Sequence, residues 1–451
     1  MKAVLISTYE LGRQPFGLAS PAAWLRREGI DVVSLDLSRQ PLDDVAVAGA
    51  ELVGFYLPMH TATRLTLPKL EHIRRLCPSA HFCAYGLYAP LNADLLRTHG
   101  VDTILGGEFE TSLAALARQI AAGMPVARGT EDLSLLRQQF LVPDRTGLPS
   151  LDRYANLTLA DGTRRVVGYT EASRGCKHLC RHCPIVPVYN GTFRIVQRDV
   201  VLADIRAQVA AGAEHITFGD PDFFNGVRHA IELVRAVHAE FPELTFDVTV
   251  KIEHLLKHRE HLPELAKLGC AFVTSAVESI DDDVLLIFDK RHTRADFVAA
   301  VHACREARLV LIPTFVAFTP WITAAGYAML LESLVDLDLV DHLAPIQLCI
   351  RLLISAGSRL LELPEVRRLV GSYDPLALVY PWKHPDPAVD ELQKAVEGIV
   401  HAGLAAGLPR RAIFGRVRQR AWIALNQTPP SELDVAPGRT EVPYLNEPWY
   451  C

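Results

Sequence analysis

Residues 171–183 read EASRGCKHLCRHC, and this stretch decides how the chain around it is read. Cys176, Cys180 and Cys183 sit within eight residues, and no further cysteine follows until Cys270. A closed structural zinc site or an electron-transfer cluster takes four protein ligands. Three thiols on one loop mean that a fourth ligand comes from elsewhere, or that one metal position is open to a reacting molecule. A Cys3His zinc knuckle completed by His178 or His182 is the competing reading. The loop follows VVGYTEA (166–172), an apolar run of strand composition. The thiols therefore sit at a strand's carboxyl end, where β/α architectures build their sites.

The run at 166–172 opens a series of alternating strand and helix patterns. HITFGD (215–220), LTFDVTV (244–250), AFVTSA (271–276), LVLIPTF (309–315) and LAPIQLCI (343–350) are the later strands. Six β–α units are too few for a closed eight-fold barrel and suit a partial (β/α)6 barrel over 165–362. Upstream, 1–125 alternates five short apolar runs (3–7, 32–36, 51–57, 81–86 and 102–107) with helical stretches. That pattern predicts a separate doubly wound, Rossmann-like domain. In SPAAWLRREG, Ser20 reads as an N-cap and Pro21 as the first helical residue. Residues 126–164 lose the periodicity, carry turn signals (PDRTGLPSLD, ADGTRR) and read as a linker with a hairpin. Residues 363–451 read as a helical and irregular extension ending NEPWYC.

The fold class is thus α/β, and composition narrows the function. A net charge of -6 with no Lys/Arg block argues against nucleic acid as the partner. The start, MKAVLISTYE, lacks the features of a signal peptide. The uncharged run 309–331 is long enough to span a bilayer, but Pro313, Pro320 and Gly326 interrupt it, so a strand followed by a helix is expected, with no membrane span. Nine cysteines without a secretory signal point to a reducing, cytoplasmic setting and to metal binding.

The spacing Cys-x3-Cys-x2-Cys at this position resembles the cluster loop of the radical S-adenosylmethionine (SAM) superfamily, over about 166–360. The resemblance implies that Cys176, Cys180 and Cys183 hold a 4Fe-4S cluster whose fourth iron is chelated by SAM. His182 stands where the superfamily usually carries an aromatic residue and can stack near the adenine. In FGDPDFF (218–224), Gly219 and Asp220 match the segment that meets the SAM amino group; Asp220 as a plain turn residue before Pro221 stays open. Lys251 and Glu253 in VKIEHL, Ser275 and Glu278 in SAVES, and Arg351 in PIQLCIRLLI are further candidate SAM contacts, Arg351 for the carboxylate. Each taken alone also reads as an ordinary face charge. An electron donor such as flavodoxin or ferredoxin is implied.

A doubly wound domain ahead of such a barrel resembles the cobalamin-binding subgroup, and GGEFE (106–110) matches its Gly-Glu-rich segment. The subgroup's Asp-x-His-x-x-Gly motif is absent, and His60 in LPMHTATR is a substitute for its histidine or a merely hydrogen-bonded loop residue. Cobalamin is therefore allowed but not favoured. The tail EVPYLNEPWYC is similar to a radical SAM subgroup ending in Cys-Cys-Ala-Glu-Pro or Cys-selenocysteine-Ala-Glu-Pro, and a stop at Cys451 reads as a selenoprotein cut short. Start and tail together resemble radical SAM proteins of arsinothricin biosynthesis. That implies transfer of the 3-amino-3-carboxypropyl group of SAM to arsenite, a small-molecule substrate held by Cys451. A cobalamin-dependent methyltransferase and a cluster-based redox sensor are the alternatives.

Overall fold

Short runs of β-branched and aromatic residues become strands throughout the first third of the chain. The computed structural model describes residues 1–429, 431 and 442–446; Cys451 lies outside the described residues. Strands β1 (Lys2–Ser7), β2 (Asp31–Asp36), β3 (Leu52–Tyr56), β4 (His81–Tyr85), β5 (Thr103–Gly107) and β6 (Thr130–Ser134) form one parallel sheet in the order β2-β1-β3-β4-β5-β6. Successive side chains point to opposite faces. Val4 and Ile6 accordingly join one core with Leu70 and Ile73 of the helix His60–Leu76, while Ala3 and Leu5 join another with Leu18 and Leu25 of the helix Phe16–Arg27.

Two expectations are corrected here. The helix at 16–27 begins at Phe16, so Ser20 and Pro21 lie inside it. Pro21 has no N–H to give the Gly17 carbonyl. The Tyr85 hydroxyl fills that place, donating to Gly17 O at 2.9 Å. The segment read as a linker contributes β6, whose residues are almost all exposed. It carries no apolar alternation to read, because backbone pairing with β5 holds it.

The second sheet contains β7 (Asn156–Thr158), β8 (Arg164–Thr170), β11 (His215–Phe218), β12 (Thr245–Thr249), β13 (Cys270–Glu278), β14 (Leu311–Phe315) and β15 (Tyr444–Leu445). Between β8 and β11 a small hairpin pairs β9 (Ser173–Gly175) with β10 (Phe193–Ile195). The large sheet runs β14-β13-β12-β11-β8-β7-β15 and curls into a half-barrel. Strands β8 and β11–β14 are parallel, whereas β7 and β15 add antiparallel at the edge.

The expected sixth barrel strand at 343–350 is a 3-10 turn, Pro345–Leu348, followed by a single bridge from Phe318 to Arg351. Pro345 cannot donate to a ladder, and the Gln347 side chain instead accepts the Phe315 N–H at 3.0 Å. The uncharged run 309–331 divides into β14 and the helix Ala324–Asp336, and no helix among the described residues is long and apolar enough to cross a membrane.

Candidate functional site

The β9–β10 hairpin clamps both ends of the cysteine loop. Its turn-in residue, Gly175, has φ +72°, and an added Cβ would lie 2.5 Å from the Thr192 carbonyl. Only glycine satisfies that left-handed approach without strain. The loop brings Cys176, Cys180 and Cys183 together on its inner side. Burial pushes the Cys183 thiol up to about 12, and the neighbouring Cys180 and Cys176 push the same way. A nearby cation would offset that penalty at Cys183. This donor set suits a soft metal centre.

The predicted residues at later strand ends divide into two groups. Lys251, buried after β12, places Nζ 3.7 Å from Cys180 Sγ and 3.7 Å from Glu253 Oε2. His182 stacks on Phe288, ring centroids 4.4 Å apart, and its Nε2 lies 3.1 Å from Glu278 Oε1. Glu278 ends β13 with φ +70°, where Lys290 Nζ reaches it at 3.5 Å. Ser275, on the same strand, is fully buried with no hydrogen-bond partner for its hydroxyl. Gly219 follows β11 against the Tyr169 side chain, which leaves no space for a Cβ.

Two predicted contacts are engaged elsewhere. Asp220 is buried and turned back on the loop's own root, accepting from Ala172 N at 2.9 Å and Ser173 Oγ at 2.5 Å. It fastens β11 to the segment leading into the cysteines. Arg351 stacks on Trp382 at 3.5 Å and pairs with Asp390 at 2.6 Å, so it secures the C-terminal extension. Its planar fork suits both contacts at once. His60, the one candidate cobalt ligand, bonds the Ala377 carbonyl at 2.7 Å.

A cluster next to the thiols adds Asp222 and His254, neither of them a candidate from the sequence, to His178 and Glu253. Asp222 Oδ2 lies 2.6 Å from His254 Nδ1 and 3.4 Å from His178 Nε2, and Glu253 Oε2 lies 3.5 Å from His178 Nδ1. Cys176, His178 and Asp222 present ligand atoms within 4.8 Å of one another. The signal available was DPDFFN directly after a strand, but nothing local ties it to residue 254.

Inside the half-barrel a cavity of about 400 Å³ is lined by Thr217, Asp247, Thr249, Thr274 and Thr314, and β15 closes it with Tyr444 and Leu445. A smaller cavity of about 230 Å³ lies where the first sheet's strand ends meet the barrel. Both touch Leu11, Arg13, Ile185, Gly219 and Pro221.

Comparison with known proteins agrees with this architecture. The family model described as the Radical SAM superfamily matches residues 170–318. The chain is similar to a hopanoid C-3 methylase of Methylococcus capsulatus, 23% identical over 68% of this chain and 62% of the relative. A tRNA-2-methylthio-N(6)-dimethylallyladenosine synthase of Sorangium cellulosum is 26% identical over 47% of this chain and 45% of its own. The chain thus spans between under half and about three fifths of these relatives. Among solved structures, the radical SAM methyltransferase TsrM of Kitasatospora setae, with cobalamin and a 4Fe-4S cluster bound, has TM-score 0.60 at 18% identity, over 75% of this chain and 70% of that one. OxsB, a cobalamin-dependent SAM radical enzyme, has TM-score 0.69 at 12% identity, over 89% and 67%. The segment that matches the Radical SAM superfamily model begins at the last residue of β8 and runs through the cysteine loop to just beyond β14.

Proposed function

We propose that this radical SAM enzyme transfers the 3-amino-3-carboxypropyl group of SAM to trivalent arsenic, forming a carbon–arsenic bond. Cys176, Cys180 and Cys183 hold a 4Fe-4S cluster, and the fourth iron is left for SAM. When bound, that cluster supplies the electron that breaks a carbon–sulfur bond of SAM. Lys251 steadies the thiolate of Cys180, while His182 and Glu278 flank the loop on its other side. Ser275 offers a buried hydroxyl for SAM's polar groups. Arsenite is the acceptor, and Cys451 is its soft ligand. Cleavage at Cγ leaves methylthioadenosine. Forming a trivalent product also expels hydroxide, so two electrons are consumed, and a flavodoxin or ferredoxin supplies them.

The observation that supports this reading is the course of the C-terminal segment. Strand β15 pairs with β7 at the open edge of the half-barrel, and Tyr444 and Leu445 line the 400 Å³ cavity. Tyr444 and Leu445, about six residues before Cys451 in the chain, therefore border that cavity. The resemblance of start and tail to the arsinothricin-biosynthesis protein ArsL supplies the substrate.

A second reading, a cobalamin-dependent radical SAM methyltransferase acting on a small metabolite, is favoured by the hopanoid methylase match and by the likeness to TsrM and OxsB. The nucleoside product separates the two. Cluster-loaded protein given SAM, reductant and arsenite under anaerobic conditions yields methylthioadenosine and an arsenic-bearing amino acid on the first reading. S-adenosylhomocysteine or 5′-deoxyadenosine in its place would exclude it.

A further inference from the structure

Just beyond β12 the chain turns into a short helix, Ile252–Lys257, and Lys251 is the extended residue in front of it. Val250, Ile252 and Leu255 are fully buried, so this turn is anchored in the core and holds its polar side chains in place. Lys251 itself is 7% exposed. Its ammonium donates to Cys180 Sγ at 3.7 Å, a separation suited to the large sulfur atom. Glu253 Oε2 also lies at 3.7 Å, an ion-pair distance too long for a hydrogen bond between nitrogen and oxygen.

An ammonium taken out of water costs several kcal/mol unless an anion answers it. A thiol sulfur is a weak acceptor, whereas a metal-bound thiolate carries the charge that a buried ammonium needs. The contact therefore fits Cys180 as a ligating thiolate. Burial raises the Cys176 thiol, and the Lys251 ammonium works against it there too.

The neighbouring carboxylate offsets this charge only in part. The Glu253 side chain is a third exposed, where water screens it, and the same Oε2 lies 3.5 Å from His178 Nδ1. On the other side of the loop, Lys290 sits 3.5 Å from Glu278 with both side chains buried, so its charge is matched by its partner. Of Lys251 and Lys290, Lys251 is the one hydrogen-bonded to a sulfur of the loop.

Reduction of an iron–sulfur cluster takes one electron from the donor, with no bond made or broken and no proton moved, and adds one negative charge. Nearby charge and hydrogen bonds to the ligand sulfurs set how readily that electron is accepted. We infer that Lys251 sets the reduction potential of the bound cluster, its ammonium raising the potential through Cys180 Sγ while Glu253 restrains it by drawing on the same ammonium. The inference rests on the three cysteines as cluster ligands and is independent of arsenic as the acceptor. It makes Lys251 a neighbour of the cluster rather than a contact of SAM.

Cluster-loaded protein without SAM is titrated potentiometrically with dithionite, and the electron paramagnetic resonance signal of the reduced cluster gives the midpoint. Lys251→Met, neutral and close in volume, makes reduction at least tenfold less favourable, a fall of about 59 mV for one electron, with iron and sulfide content unchanged. Lys251→Arg, which keeps the charge, stays near the parent. Glu253→Gln moves the midpoint the other way. Coincident midpoints in the parent and Lys251→Met overturn the inference, and weaker SAM binding beside them would assign Lys251 to SAM. A Glu253→Gln midpoint at or below that of the parent also overturns it, and this variant decides if Lys251→Met loses its iron. A parent protein with no reducible cluster refutes the ligand reading itself, whereas unmoved midpoints in iron-replete variants refute only the role of Lys251.

Discussion

His182 Nε2 lies 3.1 Å from Glu278 Oε1 and joins the cysteine loop to the end of β13, nearly a hundred residues away. Lys290 Nζ approaches the same oxygen at 3.5 Å, so one buried carboxylate serves two partners. Burial alone would raise the Glu278 carboxyl, but Lys290 and His182 outweigh it and bring it down to about 2. Replacing Glu278 with Ala strands Lys290, whose side chain is 3% exposed. The expected loss is about 3–5 kcal/mol of stability, as for other broken buried pairs. Urea unfolding measures it, and a loss below about 1 kcal/mol would show that the pair does not hold this end of the sheet.

Each of Cys176→Ala, Cys180→Ala and Cys183→Ala is expected to abolish the iron–sulfur absorbance and the bound iron and sulfide. Cys304→Ala, buried in the barrel core away from the loop, is expected to keep both. Full iron content in any of the three loop variants would refute the ligand assignment.

Asp220 gives a pH signature. Burial raises its carboxyl to about 7, against the Ser173 hydroxyl and Ala172 amide that favour the charged form. The folded chain thus keeps a proton that the unfolded chain releases above about pH 4. More protons are bound in the folded state across that window, so stability falls as pH rises from about 4 to about 7. Asp220→Asn is neutral throughout and lacks this slope. Unfolding midpoints of the two proteins, compared across that range, should diverge steadily; parallel curves would show that Asp220 titrates normally.

Arg351→Ala is expected to loosen the extension that begins near Trp382 and Asp390 while leaving SAM affinity unchanged. The lost ring stacking and part-exposed ion pair amount to about 1–2 kcal/mol. A tenfold rise in the Kd for SAM, measured on cluster-loaded protein, would return Arg351 to the SAM site.

Cys451→Ala is expected to weaken arsenite binding and spare the cluster. Equal arsenite affinity in the two proteins would remove the tail from the proposed reaction.

Local pattern carried much of this molecule. The three-thiol spacing, the five strand runs of the first sheet and the alternation that feeds its two cores all lie within windows of a dozen residues. The polar strand β6 escaped because its pairing is made by backbone groups, which leave no trace in side-chain type. The 3-10 turn at 345–348 escaped because an apolar run looks the same whether it pairs in a sheet or turns beneath one.

What the sequence by itself determined, then, is the cysteine loop, its place after a strand and the α/β class, since each rests on periodicity or on short-range spacing. The tertiary structure alone decided that Asp220 faces Ser173, that Arg351 faces Trp382 and Asp390, and that His254 meets Asp222. These side chains acquire their roles from neighbours brought by other elements. Burial and pairing across the fold, rather than residue type, set which of them is charged and which is available.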